Sequence, residues 1–319
     1  MKYIKKYWPL FWGISILVAI LAGVFFSPNN NTSNPSKDKF KYLSPKIDEN
    51  FSPESFWSLS DLRNKIILEE KSNENNFAFY IEDLISGSWV GYQQDEKFIG
   101  ASLLKTPVAL MVMKRVDEGT WSMDTKFILK PELKDKSFGN LWREPDNKEF
   151  TLSELMEQMF IYSDDTAANI FINSIPGAER NNVYYRIGIM NPEAPIVSDP
   201  SKPLFKKMSA KELINVYRTL YNASYLTPES SEYVLDLLTK TKFDKSLSYG
   251  VPTNIPVAHK IGVYFLTGNP ERNAHDCGIV YLPKRPYMIC AMTKNLSQAD
   301  AWKTVSEISR VTYEYFNQL

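Results

Sequence analysis

The sequence predicts an α+β domain: an antiparallel sheet of about five strands, flanked by helices, with an all-helical lobe inserted between its strands. Three observations carry this. Strand-like runs gather towards the two ends of the chain, a long block of helical patterning separates them, and an amphipathic segment closes the chain. The early strands are 77–83 (FAFYIED) and 88–95 (SWVGYQQD), joined through a Ser-Gly turn. The late ones are 257–265 (VAHKIGVYF) and a hairpin of CGIVYL and YMICAMT.

Taken in order, residues 1–6 carry Lys2, Lys5 and Lys6, and 7–26 run without a charge. At about 1.5 Å per residue, such a helix spans the roughly 30 Å hydrocarbon core, so 1–26 is read as a transmembrane anchor. The lysines hold its start in the cytoplasm, which makes this a single-pass protein of the cell membrane with an extracytoplasmic domain. A cleavable signal peptide is the competing reading. Its apolar region is normally shorter and ends in small residues, whereas this one ends Val24-Phe25-Phe26. Residues 27–50, rich in Asn, Ser, Pro and Lys, read as a flexible linker.

The domain proper is 51–319. Between 53 and 71, Phe56, Leu59, Leu62, Ile66 and Leu68 recur near helical spacing. A helix from Ser102 to about Glu118 carries Leu104, Val108, Met111, Val112 and Val116 on one face. Helical patterning with one interruption fills 153–175, and another helix covers about 210–221, so the helical lobe is roughly 101–254. Residues 298–316 close the chain as a helix with Trp302, Val305, Ile308 and Tyr315 inward.

Of the 319 residues 44% are hydrophobic, with 37 basic and 37 acidic side chains. That balance favours neither nucleic acid nor an anionic surface as partner. Cys277 and Cys290 allow one disulfide; on a hairpin turning at 283–286, Cys290 faces Ile279, which favours two buried thiols over a bridge. His259 and His275 lack any metal-ligand spacing, so no metal and no cofactor is implied.

Three short motifs carry chemistry. Ser102-Leu103-Leu104-Lys105 opens a helix, and a spacing of three puts serine and lysine on one helical face. Tyr162-Ser163-Asp164-Asp165 interrupts the helical block, so Ser163 and Asp165 face a cleft, unless Asp165 merely caps the following helix. Lys260-Ile261-Gly262-Val263 lies on a late strand, where a lysine more often guards an edge.

In this order and on these elements, the three motifs resemble the SxxK, SDN and KTG set of class A β-lactamases and penicillin-binding proteins, a resemblance covering roughly 51–319. It implies a β-lactamase/transpeptidase-like fold and a β-lactam or peptidoglycan stem peptide as substrate. It also implies Ser102 as nucleophile, Lys105 as base and Ser163 as proton relay to the leaving nitrogen. Lys260 would supply positive potential, and Asp165, Gly262 and Val263 would line the substrate, with the N–H groups of Ser102 and Val263 as oxyanion hole.

Three departures stand out. Asp165 replaces an asparagine that both donates and accepts, and Ile261 replaces a hydroxyl that binds the substrate carboxylate. In 188–200 no ExxLN pattern is present, leaving Glu193 and Asp199 as the only carboxylates near a deacylating position. Acylation parts are thus retained and deacylation is expected to be impaired. A penicillin-binding D,D-peptidase and a catalytically silent wall-binding protein remain as alternatives.

Overall fold

The computed structural model describes residues 41–42, 59–189, 207–265 and 272–319. The chain divides into two units, Met1–Lys39 and Phe40–Leu319, and all described residues belong to the second. The stretch read as an anchor lies outside them. Among the described residues no helix is long and apolar enough to cross a membrane.

Helix α1 (Ser60–Glu69) leads into strands β1 (Phe77–Asp83) and β2 (Trp89–Tyr92). Late in the chain come β7 (Val257–Phe265), β8 (Arg272–Val280) and β9 (Tyr287–Lys294), then α8 (Gln298–Asn317). These five strands make one antiparallel sheet in the order β2-β1-β9-β8-β7. The first and last strands of the chain thus meet at its centre, and β7 forms one edge. Alternation sorts the side chains into two cores. Phe77, Phe79, Ile81 and Ile289 face α1 and α8, meeting Leu62, Ile66, Val305, Ile308 and Phe316. Ala78, Tyr80, Cys277, Met288 and Cys290 face the helices of the other layer. On α8 it is Phe316, 2% exposed, that is buried, whereas Tyr315, expected inward, is only half-buried.

Between β2 and β7 lies the helical part. A short pair, β3 (Phe98–Ile99) with β6 (Lys207–Met208), precedes a 3-10 turn at Ala101–Leu104 and helix α2 (Lys105–Asp117). The hairpin β4 (Lys126–Ile128)–β5 (Glu149–Thr151) leads to α3 (Leu152–Ile161), α4 (Asp165–Ser174) and α5 (Gly177–Arg186). Helices α6 (Ala210–Tyr221) and α7 (Pro228–Thr239) complete it. Of these, α5, α7 and the β4–β5 hairpin were not legible in the sequence. Helix α2 is buried on every side from Lys105 to Met113, so it is a central helix and not the one-faced helix its pattern suggested.

Two further differences concern covalent and terminal features. Cys277 and Cys290 stand directly opposite one another and are joined in a disulfide, because the β8–β9 register pairs Val280 with Tyr287 and moves the turn to 281–286. Lys41 and Tyr42 fall in the stretch read as linker, yet Tyr42 is 6% exposed. Both backbone N–H groups donate to Glu232, and the Tyr42 ring packs on Tyr281 with centroids 5.0 Å apart.

Candidate active site

Ser102 sits in the 3-10 turn that starts α2, immediately after Ala101, whose φ of +47° is the left-handed region. One turn on, Lys105 leaves the same face and its Nζ lies 3.1 Å from Ser102 Oγ. The same ammonium nitrogen lies 3.1 Å from Ser163 Oγ, bonds the Ser163 carbonyl, and sits 2.6 Å from Asp165 Oδ1. Lys260 arrives from β7, with Nζ 2.7 Å from Ser163 Oγ. Ser163 therefore stands between two lysine nitrogens, both of them buried.

Local chain chemistry explains Ser163. It has φ +54° in the break between α3 and α4 and is followed by Asp164, the N-cap of α4. Asp164 is wholly buried, accepts from the N–H of Ala167 at 2.9 Å and from that of Leu141 at 2.8 Å, and so ties two segments together. Burial pushes its carboxyl pKa up, against the backbone N–H groups that favour the ionised form. The capping role proposed for Asp165 thus belongs to its neighbour. Asp165 is the first residue of α4 and is free to turn towards Lys105.

Burial lowers the Lys105 pKa below the ordinary lysine range, and Asp165 works in the opposite direction. Lys260 is lowered further, by burial first and then by the positive charge of Lys105. Two cations in one dry site cannot both be comfortable, and neutralising one is the cheapest relief. Lysine without its third proton has a lone pair, and at Lys105 that lone pair has Ser102 Oγ within reach.

Gly262 lets β7 close on the turn that carries Ser102. A Cβ there would lie 2.7 Å from the Gly100 carbonyl oxygen and 2.9 Å from Leu103 Cγ, so only glycine permits this approach. Ile261 and Val263 face a cavity of ≈ 230 Å³ beside β7, with Phe138, Phe243 and Trp302 among its walls. Ile261 adds apolar wall there and no hydrogen-bonding group. Glu193 and Asp199 lie outside the described residues.

The comparisons with known proteins bear on family and fold. The model of the β-lactamase enzyme family matches residues 59–316. The chain belongs to this family. Among curated relatives, a β-lactamase of Bacteroides uniformis is 24% identical over 282 residues, covering 80% of this chain and 91% of that protein. Beta-lactamase VEB-1 of Pseudomonas aeruginosa is 22% identical over 237 residues, covering 70% and 79%. Among solved structures, PBP-A superposes with a TM-score of 0.71 at 25% identity, over 85% of this chain and 100% of its own. A PBP-A mutant captured as an acyl-enzyme with penicillin G gives 0.72 at the same identity, over 84% and 100%. A β-lactamase of Chitinophaga pinensis shares the fold, with a TM-score of 0.70 at 19% identity, over 80% and 99%.

The structure brings Ser102, Lys105, Ser163, Asp165 and Lys260 together, with Gly262 against the turn that holds Ser102 and Val263 lining the neighbouring cavity. Sequence reasoning missed a buried layer beneath them. Asp276 accepts from Ser246 Oγ and from Leu247 N–H at 3.1 Å, and pairs with His259 Nδ1 at 2.7 Å. His275 lies opposite Gly262 in the sheet and bonds the Ile99 carbonyl. The available signal was their position: both histidines flank the third motif or its paired strand, too polar for a buried strand without partners.

Proposed function

We propose that the protein is a serine hydrolase of the β-lactamase type, acylated on Ser102 by β-lactams or peptidoglycan-type peptides and slow to deacylate. One observation carries this reading: an unbroken chain of contacts runs from Ser102 Oγ to Lys105 Nζ, to Ser163 Oγ, to Lys260 Nζ, at 3.1, 3.1 and 2.7 Å. That chain joins a nucleophile to the place where a leaving group needs a proton.

In the reaction so read, neutral Lys105 donates its N–H groups to Asp165 and the Ser163 carbonyl, and its lone pair takes the Ser102 proton. Ser102 Oγ attacks the carbonyl carbon, and the oxyanion forms between the N–H groups of Ser102 and Val263. Collapse breaks the C–N bond as Ser163 gives its proton to the departing nitrogen. Lys105, now protonated, restores the Ser163 proton across the 3.1 Å contact. Lys260, with Nζ 2.7 Å from Ser163 Oγ, donates a hydrogen bond to that oxygen as its proton leaves. Hydrolysis of the resulting ester needs a base for water, and among the described residues the two acids of the second motif are already committed. Asp165 is engaged with Lys105, and Asp164 with backbone N–H groups.

A second reading, a penicillin-binding D,D-peptidase, is favoured by the likeness to PBP-A along the whole of that chain. The charge-free, largely apolar stretch at 7–26 supports a membrane-anchored, extracytoplasmic domain in either case.

Incubation with fluorescent penicillin, followed by intact mass over time, tests the reading. The expected result is one covalent adduct that persists for minutes or longer and is absent from Ser102→Ala at unchanged thermal stability. Labelling that survives Ser102→Ala moves the nucleophile elsewhere, and rapid bulk hydrolysis without an adduct removes the slow-deacylation claim.

A further inference from the structure

We infer that His275 is a positioning residue for the nucleophile: its ring clamps the turn before Ser102 to the central sheet. The inference rests on Ser102 as the attacking group.

The turn requires holding. Ala101 carries a Cβ at φ +47°, a sparsely populated conformation that persists only where the surroundings over-determine it. It sits directly before Ser102, so any relaxation of Ala101 redirects both the Ser102 hydroxyl and its N–H. The flanking strand β3 has only two residues and cannot enforce the turn alone.

The sheet supplies the restraint through one pair of residues, Gly262 and His275, directly opposite each other on β7 and β8. Gly262 presses its backbone against the Gly100 carbonyl. His275 Nε2 donates to the Ile99 carbonyl at 2.9 Å, while Nδ1 accepts from the Thr293 N–H of β9 at 3.2 Å. A carbonyl only accepts and an N–H only donates, so the two partners fix the tautomer. Edge contact with Phe98, centroids 5.6 Å apart, sets the ring plane. Consecutive carbonyls of the nucleophile turn, Ile99 and Gly100, are thus gripped by consecutive strands of the sheet. Burial lowers the His275 pKa to about 4, which keeps the ring neutral and both bonds in place near neutral pH.

Two variants of the full chain test the clamp. His275→Leu removes both bonds, and His275→Gln retains a donor and an acceptor on one amide. The readouts are the acylation rate constant and the dissociation constant for fluorescent penicillin, measured separately, and amide hydrogen exchange across 98–104. His275→Leu should acylate about 100-fold more slowly, the usual consequence of a displacement of about 1 Å, with binding little changed and exchange at 98–104 faster. His275→Gln should recover most of the rate. A folded His275→Leu with unchanged acylation and unchanged exchange overturns the inference. So does a loss shared equally between binding and acylation, with exchange raised across the whole domain. Should His275→Leu fail to fold, His275→Asn replaces it with the same expected losses, its shorter amide falling short of Ile99. Exchange needs no acylation, so a wild type inert to penicillin sinks the proposed function while the clamp is still judged on residues 98–104.

Discussion

Asp165 bears on Lys105 at 2.6 Å, where a neutral asparagine would exert no comparable field. Burial drives Lys105 towards its neutral, basic form, and Asp165 opposes it. With Lys105 as the base proposed above, acylation needs its neutral form, and the rate should climb as pH rises through the Lys105 pKa. Removing the carboxylate lowers that pKa and moves the climb to lower pH. Asp165→Asn should shift the profile down by about one pH unit or more and raise the rate at pH 7, as acylation measured against pH for both proteins will check. Superimposable profiles would uncouple the two residues. His275 makes a second prediction, on stability. Its pKa is about 4 in the fold against an ordinary 6.5, a depressed value, so its contribution is complete above 6.5 and is lost as pH falls towards 4. The full loss is about 3 kcal/mol at 1.36 per unit. Denaturant unfolding of His275→Gln should lack the corresponding slope between pH 6.5 and 4; an unchanged slope would assign it to other groups.

At the scale of elements, the site is an encounter between the start of a helix, a break between two helices and the edge of a sheet. Helix α2 supplies Ser102 and Lys105 from one face, the α3–α4 break supplies Ser163 and Asp165, and β7 supplies Lys260. What lets β7 come close is Gly262. Gly262→Ala would put a methyl 2.7 Å from the Gly100 carbonyl oxygen, and either the strand or the turn must yield. Acylation of this variant should fall about 100-fold, read as initial labelling rate, while the melting temperature moves far less. Equal labelling would mean that the edge is compliant. Spacing alone revealed that Ser102 and Lys105 share one side of α2, and it revealed the strand at 257–265, but it did not reveal that α2 is buried all round. It did not reveal the hairpin register. The turn of β8–β9 occupies 281–286 and pairs Cys277 with Cys290, a choice made by packing on both faces of the sheet. Nor did it separate Asp164 from Asp165, because adjacent acids at a helix start compete for one cap, and Asp164 takes it while also accepting from the Leu141 N–H, 23 residues away in sequence.

For the molecule as a whole, the central prediction is topological. The apolar run at 7–26 lacks a small-residue cleavage site, so the mature protein should retain its first residues and fractionate with membrane. An N-terminus between residues 25 and 35, found by mass spectrometry, would overturn this. Tyr42, within the stretch the sequence reads as linker, packs on the domain through Glu232 and Tyr281. The sequence by itself determined the fold class, the strands at both ends of the chain and the three motifs, because hydrophobic period, turn residues and helix-face spacing are local properties. The tertiary structure alone decided that Ser163 bridges two lysines, that Asp165 opposes Lys105, and that His275 reaches Ile99 across 176 residues of chain. Those are distances between segments remote in sequence, set when the β7 edge packs against the start of α2, and no local pattern encodes them.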